Sequence, residues 1–130
     1  MKINGRIVLQ IVLAGGWISL SEFFRNEIMF KSFWIEHYKS LGLFFPSSMI
    51  NNFGWLVWSV LFAISIYFIS SKFDLFQTVF VAWTMGFVLM WITVGNLGVL
   101  PLELLPFAIP LSLLEVFVAT IIIKYFRKKK

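Results

Sequence analysis

The chain has 130 residues, 60% of them hydrophobic and only 13% charged, where a soluble domain carries roughly 25% charged residues. That balance excludes an ordinary water-soluble fold and points to lipid as the solvent. The net charge of +5 does not argue for nucleic acid, because Lys124, Arg127, Lys128, Lys129 and Lys130 crowd into the last seven residues, where a basic tail after an apolar block is a cytoplasmic anchor beside anionic lipid.

The sequence predicts an all-α polytopic membrane protein of a single domain. A span needs about 20 mostly apolar residues. Span one runs from about Ile7 to Phe24, span two from about Met49 to Ile69, and span three from about Leu75 to Val94; span four begins between Leu102 and Phe107, at about Leu104, and ends near Phe126. Between spans one and two, Phe30, Phe33, Trp34, Tyr38 and Leu41 recur at spacings of three and four, interrupted by charges. This pattern predicts a short amphipathic helix over about Glu27–Leu41, lying in the outer interface. Gly42 is its expected stop, and Pro46 begins the next entry. The connection 70–74 is a tight turn, so spans two and three form an antiparallel hairpin. The segment 95–106 is apolar but rich in Gly and Pro. It is expected to pack on the top of the bundle, since broken backbone cannot face lipid.

Cation placement predicts that both termini are cytoplasmic. Lys2, Arg6, Lys72 and the five tail cations then lie inside, against Arg25, Lys31 and Lys39 outside. The expected location is the inner cell membrane.

Small and polar residues at helical spacing mark faces that meet protein. The expected inward stripes are Gly15, Ser19, Glu22 and Asn26 on span one, and Thr78, Ala82, Gly86 and Thr93 on span three. Span four contributes Ala108, Ser112, Glu115 and Ala119. Span two gives a weaker line through Asn52, Trp55, Ser59 and Phe62.

Glu115 is the residue most open to chemistry. It lies about 13 Å along its helix from Lys124, deep in the apolar layer, where a carboxylate costs roughly 2.5 kcal/mol or more. No cation is expected at its depth. The expected partners are therefore the hydroxyls of Ser112, Ser59 and Thr84, with the acid neutral. Glu22 is placed near the outer boundary, ion-paired with Arg25 three residues on. Glu27, Glu36, His37 and Glu103 share the outer side without any metal-ligand spacing. Trp17, Trp34, Trp55 and Trp91 fit an interfacial belt.

No cysteine is present, which removes disulfides and thiolate chemistry. No catalytic motif, cofactor site or metal site emerges. The expected function is that of a non-catalytic packing partner in a homo-oligomer or larger membrane complex. The alternative is a small proton-coupled transporter or binder of apolar or cationic ligands centred on Glu115, with Ser112, Ser59, Thr84 and Glu22 as further candidates. A lipid-modifying enzyme using the outer carboxylates is a third class.

Overall fold

A computed structural model describes residues 3–128. Lys2, Lys129 and Lys130, which enter the cation bias, lie outside the described residues. Four helical rods are long and apolar enough to cross a membrane: Gly5–Met29, Met49–Ile69, Leu75–Asn96 and Leu102–Lys128. They comprise α1 (Gly5–Phe23) with a π-helical extension (Phe24–Met29), and α3 (Met49–Ile69). The third rod is α4 (Leu75–Trp83), a π turn (Thr84–Val88) and α5 (Leu89–Asn96). The fourth is a 3₁₀ turn (Leu102–Leu104) leading into α6 (Leu105–Lys128). The short α2 (Lys31–Ser40) follows the first rod. The described residues contain no strand.

Local chemistry explains the boundaries. Asn4 accepts a hydrogen bond from the Ile7 amide at 3.0 Å and so caps α1. Gly42 takes φ +72° just after α2, a left-handed conformation that glycine adopts without strain. Ser48 and Asn51 cap α3, the Ser48 amide donating to Asn51 Oδ1 at 3.2 Å. Asp74 and Gln77 form a reciprocal capping box at the start of α4, with bonds of 2.9 and 3.3 Å. Pro106 falls in the first turn of α6, where its missing N–H costs nothing. Pro110 lies inside α6.

Helix α1 packs on α3 and α6, while α4 packs on α6 and α3. Helices α1 and α4 are therefore diagonal in the bundle. Close approach needs small residues. A Cβ built on Gly15 would lie 3.7 Å from the Ala63 Cβ, an ordinary contact that brings α1 and α3 together. Ala14, Ala63, Ala82 and Ala119 are fully buried. The expected stripes on spans one and four face inward. On span three Thr78, Ala82 and Gly86 do so, but Thr93 is exposed. On span two Ser59 and Phe62 are buried, whereas Asn52 and Trp55 are exposed.

The end of the bundle nearest the C-terminus is closed by two of the tail cations, Lys124 and Arg127. Lys124 donates to the carbonyls of Ser70 at 3.2 Å and Phe73 at 2.7 Å. Arg127 donates to the Tyr67 carbonyl at 2.8 Å, and its guanidinium lies 4.6 Å from the Tyr67 ring centre. These donors satisfy carbonyls at the end of α3 (Tyr67, Ser70) and in the turn before α4 (Phe73). At the opposite end Leu100, Pro101 and Leu104 are buried. The 97–104 connection therefore packs on the bundle, as its composition requires.

Candidate functional site

The first rod does not end at Phe24. The chain continues through a π turn to Met29. The extra turn lowers Glu22 to about 10 Å below the end of the rod, at 1.5 Å per residue. Glu22 is thus a residue buried among the helices, 5% exposed. Arg25 is buried with it, at 6% exposure. Its Nη2 donates to Glu22 Oε1. Asn26 Nδ2 donates to Glu22 Oε2 at 2.9 Å. The expected Glu22–Arg25 pair therefore forms, but inside the bundle.

Glu115 is fully buried, and its depth is shared by a cation after all. Arg25 Nη1 lies 3.7 Å from Glu115 Oε1. Glu22 and Ser21 also face it from α1. The expectation that no cation sits at this depth is overturned. The cause is the π turn, which carries Arg25 inward from what reads as a surface position.

The expected hydroxyl partners are also overturned. Ser112 Oγ donates to the Ile109 carbonyl at 3.0 Å and accepts from Trp83 Nε1 at 2.9 Å. Ser59 Oγ donates to the Trp55 carbonyl at 2.9 Å. Thr84 is half-buried in the π turn of the third rod. None of them bonds the Glu115 carboxylate, and both its oxygens, like Arg25 Nη1, have no hydrogen-bond partner among the described residues. The Glu115 backbone carbonyl accepts from Trp17 Nε1 at 3.0 Å, so Trp17 ties α1 to α6.

Above this cluster lies a cleft of about 660 Å³. Glu22, Arg25 and Asn26 form part of its lining. Trp55, Trp58, Phe87 and Trp91 supply apolar wall from α3, the second π turn and α5. The Arg25 guanidinium lies 5.1 Å from the Phe87 ring centre, reaching toward the diagonal rod. Both π turns therefore contribute to one site, a position π-bulges frequently occupy.

Helix α2 and the segment after it border the cleft with Trp34, Tyr38 and Phe45. Trp34 stacks on Phe45 at 5.9 Å, and Tyr38 meets Phe45 edge-on at 5.3 Å. Phe30 is buried with Leu100, Leu104 and Ala108. His37 Nε2 donates to the Gly98 carbonyl at 2.8 Å, joining α2 to the 97–104 connection. Lys31 pairs with Glu27 at 2.8 Å, while Glu36 and Glu103 are exposed. No three His, Asp or Glu side chains converge as metal ligands among the described residues.

Chemically, the site offers a large aromatic surface and a polar floor of Glu22, Arg25 and Asn26, with Glu115 buried behind Arg25. No protein-family model, curated protein or solved structure matches the chain.

Proposed function

We propose that this is a multi-pass membrane protein that binds a small amphipathic molecule in the cleft, with its polar end at the Glu22–Arg25–Glu115 cluster. One observation carries this reading: a cleft of about 660 Å³ ends on buried polar groups that are not all satisfied. Small-molecule sites typically measure about 300–1,000 Å³ and combine apolar walls with a few converging polar groups. The protein's role is binding, and no catalytic step is assigned to it.

The packing-partner reading drew on the small-residue faces. Gly15, Ala82, Ala108, Ser112 and Ala119 are buried by this chain's own helices. Those faces are therefore not free to recruit a partner, which favours the ligand reading.

The same proposal places both termini in the cytoplasm and the cleft in the outer half of the membrane. Withdrawal of Arg25 into the bundle strengthens the cation bias, because only Lys31 and Lys39 remain among the external cations. Helix α2, with Trp34 and Tyr38 beside the cleft, lies in the outer interface.

The test uses the protein in nanodiscs and an alkyl amphiphile brominated along its chain. Trp34, Trp55, Trp58 and Trp91 line the cleft, so saturable quenching of Trp fluorescence is expected. Met90→Trp, which fills the cleft, should abolish saturation. Quenching that rises linearly with amphiphile, alike in both proteins, would refute a bound ligand.

A further inference from the structure

The charge of the ligand follows from how Arg25 is held, given the cleft reading above. Arg25 has two possible seats. One is made: Nη2 bonds Glu22. The other is half made: Nη1 faces Glu115 Oε1 at 3.7 Å, beyond the 2.7–2.9 Å typical of a charge-assisted hydrogen bond. Arg25 is 6% exposed and Glu115 fully buried. Yet Nη1 and both Glu115 oxygens lack hydrogen-bond partners among the described residues. Buried polar groups are normally bonded, so this is an incomplete arrangement aimed at completion.

Glu22 and Glu115 differ in access. Glu22 lines the cleft, whereas Glu115 does not. The other charged residue lining the cleft, Glu27, is balanced by Lys31 outside it. Helices α3, α4 and α5 carry no charged residue. The cluster thus holds two carboxylates against one guanidinium.

We infer that the cleft takes a monovalent cation borne on an apolar chain, and that Glu115 is a positioning residue that receives Arg25 when the cation takes its place on Glu22. The cation forms an ion pair with the Glu22 carboxylate, and the guanidinium closes on Glu115. With Glu115 ionised as it receives the guanidinium, the four formal charges sum to zero, which matters because an unbalanced buried charge is costly. Nine of the cleft residues are aromatic, and ring faces attract cations. An anionic head would meet the Glu22 carboxylate, and the only cation within its reach, Arg25, is already bonded to Glu22.

The test compares three probes with the same chain: dodecyltrimethylammonium, dodecanol and dodecyl sulfate, titrated into the protein in zwitterionic nanodiscs against protein-free nanodiscs. The cation is expected to bind about tenfold or more tighter than the alcohol, the effect of an ion pair with Glu22 and of contacts with the ring faces, since a quaternary ammonium donates no hydrogen bond. Glu22→Gln should remove that preference. Glu115→Gln should weaken the cation by about tenfold and leave dodecanol unchanged, since Arg25 loses its second seat. Glu115→Asp should restore part of the preference, which also covers the case in which the Gln variant does not fold. Equal affinity for all three probes, a preference for dodecyl sulfate, or an unchanged preference in Glu115→Gln would overturn the inference while leaving the cleft reading intact. Failure of every probe to saturate would overturn both.

Discussion

Arg25 Nη1 stands 3.7 Å from Glu115 Oε1, although one residue begins what reads as a surface loop and the other lies deep in the last apolar block. The π turn Phe24–Met29 brings them together. It places a cation between two buried carboxylates and so makes Arg25 the residue on which the cluster depends.

Replacing Arg25 and replacing Glu115 should therefore have unequal effects. Arg25→Gln leaves Glu22 and Glu115 facing each other with no cation, and breaking a buried pair costs about 3–5 kcal/mol. Glu115→Gln leaves the Glu22–Arg25 pair intact and supplies an amide that can donate and accept. Its loss should be no more than about 1.5 kcal/mol. Thermal unfolding in detergent measures both. Equal losses would show that Arg25 does not organise the cluster.

Gly86 tests the packing around the second π turn. A Cβ there would lie 2.5 Å from Phe62 Cε2. The Phe62 ring cannot simply swing away, because it packs against Trp58 at 4.9 Å and Phe87 at 5.8 Å. Gly86→Ala should cost about 1–3 kcal/mol through overpacking. A stability gain would mean that the aromatic cluster has room to shift.

The inner clamp should be separable from the site. Lys124→Met removes two bonds to the carbonyls of Ser70 and Phe73, at about 1.5–3 kcal/mol for a bond to a charged group. Hydrogen exchange should rise at the 70–74 turn while ligand affinity in the cleft stays unchanged. A change in affinity would couple the two ends of the bundle.

Much of the architecture is legible in residue spacing. The four apolar blocks coincide with the four long rods, Gly42 ends α2, and the stripes through Gly15, Ala82 and Ala119 face inward. What is not legible is the cluster. Arg25 follows an apolar block and so reads as the end of a span; no residue there announces that the helix will continue through a π turn. Depth reckoned along each helix separately then places Glu22 and Glu115 at different levels. The hydroxyls of Ser112 and Ser59 are misassigned for a different reason. Each bonds a carbonyl three or four residues back on its own helix, a local choice open to any helical Ser. The cleft joins parts of every rod and of α2, and its volume depends on tertiary packing that no single stripe encodes.

Topology has its own test. Reporter fusions at Lys130 and after Asn96 should place the first inside the cell and the second outside, because the cations concentrate with the termini. A C-terminus outside the cell would move the cleft to the cytoplasmic half.

Photolabelling tests ligand binding in the cleft most directly. A dodecyltrimethylammonium analogue with a diazirine in its chain is cross-linked to the protein in nanodiscs, and the labelled residues are mapped by mass spectrometry. Labelling is expected at Trp58 and Met90, which line the cleft, and excess unlabelled cation should suppress it. Labelling confined to outward-facing residues such as Phe76 and Phe80, 76% and 65% exposed, and insensitive to competitor, would contradict the proposed function.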